Sequence, residues 1–252
     1  TDILADSKFE LVASLETGGV AILPADEPRL RREHKGTTVT FGYDPSADVR
    51  VSNVVLNPYG YPRCRIEADG GNAVIDVQLN LAGEHQVLNA AAAVAAGLAV
   101  GADLGDLAYG LETAAGSAWR MEIHRGRFTV VNDAYNANPD SMEAAMRTVA
   151  AMPGRHLAVL GTMAELGSLE ESEHRRMGAL AADLGFAAVL TVGDEPGIAA
   201  AAGPIGRNVA DPDTALALIR GMVRDNDVVL VKASRAIGLE AVALTLAEEA
   251  VA

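Results

Sequence analysis

Phe128-Thr129-Val130-Val131-Asn132-Asp133-Ala134-Tyr135-Asn136-Ala137-Asn138-Pro139-Asp140-Ser141-Met142 passes from an apolar run into a dense polar loop and then into a helix start. Phe128 to Val131 predict a buried strand, and Pro139, Asp140 and Ser141 are residues that open helices. Met142, Ala145, Met146 and Val149 then recur at helical spacing, so the helix is expected to be amphipathic. Between strand and helix, Asp133, Tyr135, Asn136 and Asn138 crowd the carboxyl end of the strand, where open α/β sheets bind their ligands. A plain turn draws on the same residue types, because Asn and Asp tolerate left-handed backbone and bond to their own chain.

On the carboxyl-terminal side the alternation continues. Strands are expected at Leu157 to Leu160, Val189 to Val192 and Val228 to Val231, and helices at Ser141 to Ala151, Ser172 to Leu184, Ala215 to Val223 and Leu239 to Glu248. This order predicts a parallel sheet covered by helices. On the amino-terminal side the pattern differs. An amphipathic helix from Ile3 to Leu15 precedes expected strands at Val20 to Leu23 and Thr37 to Phe41. Val49 to Leu56, Tyr61 to Ala68 and Ala73 to Leu81 then alternate apolar with polar, separated by the turn-forming Asn57-Pro58-Tyr59-Gly60 and Asp69-Gly70-Gly71-Asn72, as an antiparallel meander does. Helices from about Gln86 to Val100 and from Leu104 to Thr113 close this region. The small-residue stretch near Ala115 to Trp119 marks the expected boundary, giving domains of 1–116 and 117–252.

Composition excludes several classes. At 252 residues and half apolar, the chain has enough material for two cores. Lys+Arg of 20 against Asp+Glu of 34 leaves a net charge of −14, which argues against a nucleic-acid partner. The single cysteine, Cys64, excludes an internal disulfide within this sequence and any Cys-rich zinc site. It alternates with Pro62 and Ile66, as a core strand residue would. No apolar run of about eighteen residues or more occurs, and Thr1 to Leu15 do not resemble a secretion signal, so the expectation is a cytoplasmic protein without membrane insertion. No Gly-x-x-x-x-Gly-Lys-Ser/Thr loop and no Gly-x-Gly-x-x-Gly fingerprint is present to cradle phosphates.

Three polar clusters nevertheless suit nucleotide or carboxylate chemistry. In Gly83-Glu84-His85-Gln86-Val87-Leu88-Asn89, the polar residues fall on one side of a helix start whose other side is alanine and valine. Carboxamides can pair two-fold with adenine, although such residues also simply cap and solvate helix starts. Arg120-Met121-Glu122 follows the boundary, where an arginine fork either grips a phosphate or makes a surface ion pair. Lys232-Ala233-Ser234-Arg235 places two cations and a hydroxyl at a strand exit, a setting for a carboxylate or phosphate ligand or for an ordinary charged loop.

Taken in order, Gly83-x-His85-x-x-x-Asn89-Ala90, Arg120-x-Glu122, Asp133-Ala134-Tyr135-Asn136-Ala137-Asn138-Pro139-x-Ser141-Met142, Leu160-Gly161-x-Met163-x-Glu165-Leu166-Gly167 and Lys232-x-Ser234-Arg235 resemble the Mur ligase family. Within it, the tyrosine-asparagine loop and the leucine-glycine-methionine segment resemble the branch that joins D-alanyl-D-alanine to UDP-N-acetylmuramoyl-tripeptide. The resemblance spans nearly the whole chain. It implies an α/β fold made of the remainder of a central ATP-binding domain with an antiparallel meander, followed by a Rossmann-like C-terminal domain with a mainly parallel sheet. It also implies an ATP-dependent amide ligase of peptidoglycan synthesis that uses Mg2+ and an acyl phosphate.

Carried over residue by residue, the resemblance gives Asn89 and Gln86, with His85 beside them, to adenine; the family more often has asparagine at the Gln86 position. It gives Arg120 to the nucleotide phosphates as a catalytic residue and Asp133 to the ribose or phosphate region. Tyr135, Asn136, Asn138, Lys232, Ser234 and Arg235 become candidates for the D-alanyl-D-alanine site, with Ser234 or Arg235 taking the terminal carboxylate. Ala233 stands where the family usually has glycine, a departure that bears on the backbone of that turn. Lys8 matches a position at which the family carries a carbamylated lysine, a catalytic and metal-binding group only when so modified.

The UDP-sugar domain, the phosphate loop and the glutamate and histidine that hold the metal in the family have no counterpart before Lys8. The expectation is therefore a carboxyl-terminal half whose partner is the missing amino-terminal half of the same ligase, and which is inactive alone. Two other readings remain. One is a non-catalytic nucleotide- or dipeptide-binding module; the other is a sister ligase of the folylpolyglutamate or cyanophycin type.

Overall fold

The structure is a computed structural model that describes residues 2–193 and 196–252, apart from the side chains of Ile3 and Pro196. The chain divides into two compact units. The first runs up to Ala115 without Pro58–Gly60, and the second takes those three residues with Gly116–Ala252.

The first unit holds α1 (Asp2–Ala13), β1 (Val20–Pro24), β2 (Thr37–Gly42), β3 (Val49–Leu56), β4 (Pro62–Ala68), β5 (Ala73–Gln78), α2 (Gln86–Ala99) and α3 (Leu104–Thr113). Its strands form one sheet in the order β1-β2-β3-β4-β5. The expected meander is present as β3-β4-β5, where Ile66 of β4 pairs with Val51 on one side and Ile75 on the other. β1, β2 and β3 instead run parallel. The reason the sheet closes is visible in α2. Val87, Ala90, Ala91, Val94 and Ala95 recur on one face and pack against Val49, Val51, Cys64, Ile66 and Val77, the small alanines letting the helix come close to the strands. Cys64 is a core residue, and burial pushes its thiol up to about 11. On α1, Ala5 is buried and Phe9 and Val12 half-buried, while Leu4, Leu11 and Lys8 are exposed.

The second unit holds β6 (Glu122–Arg125), β7 (Thr129–Asn132), α4 (Pro139–Ala150), β8 (His156–Gly161), α5 (Glu170–Asp183), β9 (Ala188–Val192), α6 (Pro196–Ala201), β10 (Gly206–Val209), α7 (Pro212–Met222), β11 (Val228–Lys232) and α8 (Glu240–Val251). The sheet order is β10-β9-β8-β11-β7-β6, with every pairing parallel except that of the edge strand β6 to β7. β11, the last strand in the chain, lies between β7 and β8, so Val229 sits beside both Val130 and Leu157. Val130, Leu157, Val159, Leu190, Val229 and Val231 share a core with Ile219 of α7 and Val242 and Leu246 of α8. Their alternates Val131, Ala158, Leu160, Val189 and Leu230 are buried as well, as a parallel sheet covered on both faces requires. Each such valine or leucine contributes about 1.5–3 kcal/mol when taken out of water.

Insertion of β11 between its neighbours creates the feature that matters for function. α4 after β7 packs with α5, whereas α8 after β11 packs with α7 and back on β7. The chain therefore leaves adjacent parallel strands toward different helix layers, and the crevice at such a reversal is where open α/β sheets receive ligands. Sequence patterns did not announce β6, α6 or β10, because Glu-Ile-His-Arg and Gly-Arg-Asn-Val are short, polar edge strands without an apolar run. Among the described residues, no helix is long and apolar enough to cross a membrane.

Candidate functional site

The carboxyl ends of β7, β8 and β11 bring the second-unit candidates together. β7 ends in Asn132, whose buried side chain accepts from Ala134 N at 3.3 Å and donates to Glu122 Oε2 at 3.3 Å, fixing the exit of the strand. Asp133 follows. Its Oδ1 accepts from the Met121 backbone N at 3.0 Å, and its Oδ2 accepts from Lys232 Nζ at 2.6 Å. Lys232 is 1 % exposed and also donates to the Asn136 carbonyl at 2.9 Å, so one ammonium ties the end of β11 to the whole polar loop. Burial pushes the Lys232 ammonium below the ordinary lysine range; Asp133 opposes that shift and Arg120 adds to it.

Ser234 performs a similar role with its hydroxyl. Its Oγ accepts from Ala164 N at 2.9 Å and lies 3.5 Å from the Ala137 carbonyl, while its own N donates to Thr162 O at 3.1 Å. The loops after β7, β8 and β11 are thus fastened to one another. The loop after β8 has a second anchor in His174, a residue that motif reading missed. His174 is fully buried on α5; its Nε2 accepts from Met163 N at 2.8 Å, which leaves Nδ1 to donate to the Glu170 carbonyl at 2.7 Å. The available signal was its place on the same helical face as Met177, Gly178 and Ala181, all buried.

Ala233, in the place of the family's usual glycine, does not adopt a positive φ. Its methyl faces Gly161 at the end of β8, where any added Cβ would stand 2.7 Å from it. The glycine needed for close approach is supplied by β8 instead of β11.

Asn138 caps α4: its Oδ1 accepts from Ser141 N at 2.8 Å, and its N donates to Ser141 Oγ at 3.1 Å, a reciprocal capping box. Tyr135, Asn136, Arg120 and Arg235 are exposed. The Arg120 guanidinium carbon lies 4.1 Å from the Tyr135 ring centre, and that of Arg235 lies 5.6 Å from the same ring and 4.7 Å from the Trp119 ring. Among the described residues neither arginine forms an ion pair with a carboxylate. Two cations with no ion-pair partner among the described residues thus lie against one aromatic ring in a chain of net charge −14, an arrangement whose chemistry suits an anion.

The first-unit candidates lie on the opening turn of α2. Gly83 has φ of +105°, a conformation that a side chain would strain. Asn89 Nδ2 donates to Gln86 Oε1 at 2.9 Å, so the two carboxamides hold each other on an exposed turn, with His85 exposed beside them. Lys8 is an exposed lysine on α1. Among the described residues no three His, Cys, Asp or Glu side chains gather into a group that could hold a metal ion.

Two family models match this arrangement. The Mur ligase middle domain covers residues 2–97, and the Mur ligase glutamate ligase domain covers residues 119–235, a stretch that runs from Trp119 to Arg235. The chain belongs to the Mur ligase family. It is similar to the UDP-N-acetylmuramoyl-tripeptide–D-alanyl-D-alanine ligase of Mycobacterium tuberculosis, 38% identical over 96% of this chain and 53% of the relative. Among solved structures it resembles MurF from Acinetobacter baumannii, with a TM-score of 0.85 and 28% identity over 98% of this chain and 55% of that one. It also resembles the MurF ligase of Thermotoga maritima in complex with ADP, with a TM-score of 0.81 and 25% identity over 97% and 56%. The chain spans about half the length of the curated relatives it matches. The α/β fold with two sheets agrees with what the family resemblance implied.

Proposed function

We propose that this chain is the acceptor part of an ATP-dependent amide ligase that adds D-alanyl-D-alanine to UDP-N-acetylmuramoyl-tripeptide in peptidoglycan synthesis. The observation that carries the reading is the pair Arg120 and Arg235, both against the Tyr135 ring and without a counter-ion among the described residues, inside the stretch matched to the family's ligase domain. The names of the relatives supply the substrates.

A carboxylate is a poor acyl donor, and transfer of a phosphoryl group from ATP gives it a leaving group. The free amine of the dipeptide then attacks the acyl carbon, and the tetrahedral species collapses with loss of phosphate. Clustered negative charge has to be offset throughout, and Arg120 is the cation in this chain suited to it. Arg235 is assigned to the terminal carboxylate of the dipeptide. Ser234 is the weaker candidate for that contact, because its hydroxyl already joins two loops. Tyr135 and the exposed side chain of Asn136 complete the dipeptide surface, while Lys232 and Asn138 act by holding the loop that carries it.

In this reading residues 1–116 belong to the ATP-binding domain, with Gln86, Asn89 and His85 toward adenine, and residues 117–252 form the ligase domain, with Asp133 toward ribose or phosphate. ATP is used with Mg2+. The same reading places the enzyme in the cytoplasm.

The decisive experiment measures phosphate release from ATP by the whole gene product with UDP-N-acetylmuramoyl-tripeptide present. Release that requires D-alanyl-D-alanine is the expected result. Release that follows glutamate or another amine instead would move the assignment to a sister ligase, and saturable binding without release would leave a binding module.

A further inference from the structure

Trp119 lies outside every motif that carried the proposed function, yet it holds one of the positive-φ backbone conformations of the second unit. Its φ is +60° and that of Met121 is +51°, two left-handed residues with bulky side chains on either side of Arg120. Such conformations are costly for residues with a Cβ and persist where surrounding bonds over-determine them. Those bonds are present: Tyr135 N donates to Trp119 O at 3.0 Å, and Met121 N donates to Asp133 Oδ1 at 3.0 Å. Both run to the polar loop after β7, so the loop and the Trp119 turn are set together. The product of this turn is an indole 4.7 Å from the Arg235 guanidinium carbon, which the Tyr135 ring also approaches at 5.6 Å.

We infer that Trp119 is a positioning residue that, with Tyr135, clamps the flat guanidinium of Arg235 between aromatic surfaces and presents its N–H edge to a planar oxyanion, the terminal carboxylate of a peptide ligand. The chemistry follows from the shape of the group. Aromatic surfaces against the faces of a guanidinium restrict its rotation and displace water from it, while the in-plane N–H groups stay open for two parallel hydrogen bonds to one carboxylate. No carboxylate of the described residues occupies that edge. The choice of a peptide carboxylate rests on the proposed function; the clamp rests on the approach of both rings to the Arg235 guanidinium carbon.

Trp119 is the single tryptophan of the chain, so its emission reports on this place only. The 252-residue chain is titrated with D-alanyl-D-alanine, with its carboxyl-terminal amide and with inorganic phosphate, following emission and heat. The free dipeptide is expected to change the emission saturably and the amide is not, with the response lost in Arg235→Gln. By calorimetry, Trp119→Gly, which suits the left-handed backbone and removes the ring, is expected to bind about fivefold more weakly, and Trp119→Phe to keep most of the affinity. In the nuclear magnetic resonance spectrum, the Arg235 Nε–H proton should lose its ring-current shift in Trp119→Gly and keep much of it in Trp119→Phe.

If phosphate replaces the dipeptide with the same dependence on Trp119 and Arg235, the clamp stands and the dipeptide assignment of the proposed function falls. The clamp is overturned if Trp119→Gly with a native circular dichroism spectrum binds as the parent does, if no anion perturbs the emission, or if the Arg235 proton shift is the same in all three proteins.

Discussion

The two groups of polar candidates are built in opposite ways. On the opening turn of α2, Gln86 and Asn89 are three residues apart, half-buried and exposed respectively, and bonded to one another. At the carboxyl ends of β7, β8 and β11, the partners are far apart in sequence, with Asp133 bonded to Lys232 and the Ala164 backbone to Ser234, and the side chains of Asp133, Lys232 and Ser234 are buried. The first arrangement costs little to break, because water replaces the lost bond. The second concentrates charge where water is scarce, so each member depends on the others. A motif residue in the α2 turn can thus be reached by a ligand at the cost of one solvent-replaceable bond, whereas in the second unit the exposed side chains include Arg120, Tyr135, Asn136 and Arg235, and the buried residues hold them in place.

The sharpest way to break this contrast is Lys232→Met. It leaves the Asp133 carboxylate against a dry loop without its cation, and the expected loss is about 3–5 kcal/mol of unfolding free energy, read from urea denaturation. The double variant Asp133→Leu with Lys232→Met should recover much of that loss. Equal stability of Lys232→Met and the parent would show that the pair is not the keystone of the loop. The pH response of the parent adds a second reading. Because burial lowers the folded-state pKa of Lys232, the unfolded chain binds that proton more tightly; the penalty is fully present below the folded pKa and is relieved as pH rises from there toward the ordinary lysine value. Stability of the parent relative to Lys232→Met should therefore rise with pH in that alkaline window.

His174→Leu comes next. The Met163 N–H would lose its acceptor inside the protein, and a loss of about 1–3 kcal/mol is expected in the same assay. Faster hydrogen exchange at Met163 and Ala164, with the first unit unchanged, would place the effect in the loop after β8.

A structural ion pair away from the site gives an acid counterpart. Arg155 grips Asp227 at 2.6 Å and 3.0 Å. Burial pushes the Asp227 carboxyl up, but the Arg155 and Arg224 hydrogen bonds outweigh it and hold the group below the usual aspartate range. A depressed folded pKa contributes stability above the unfolded value that is lost as pH falls through the folded one. The second unit should accordingly lose stability below about pH 4, and Asp227→Asn should flatten that part of the profile.

The smallest stability effect belongs to Asn89→Ala, which is expected to stay within about 0.5 kcal/mol of the parent. Its place in the comparison is tested by ligand binding instead: under the proposed function, ADP affinity falls while the unfolding midpoint does not move. A fall in stability comparable to that of His174→Leu would erase the distinction between the two groups.

Much of this was legible in the chain itself. Period and turn chemistry placed β3 and α3 at the bounds that the fold shows, and the strand, polar loop and capped helix from Thr129 to Ala150 follow from local residue choice. The ordered motifs were enough to suggest the family. Those properties are local, set by side-chain period, helix caps and turn residues, so the sequence determines them directly. The edge strands β6 and β10 escaped because polar residues suit an edge as well as a loop. The family resemblance also proposed Lys232, Ser234, Asn138 and Arg235 for one site, with Ser234 or Arg235 toward the carboxylate, and only the tertiary structure separated them. Insertion of β11 between β7 and β8 buries Lys232 and engages Ser234, while Asn138 caps α4 and Arg235 has no counter-ion among the described residues. Whether a polar side chain is free for a ligand depends on which distant groups the fold brings within hydrogen-bond reach, and no local pattern carries that information.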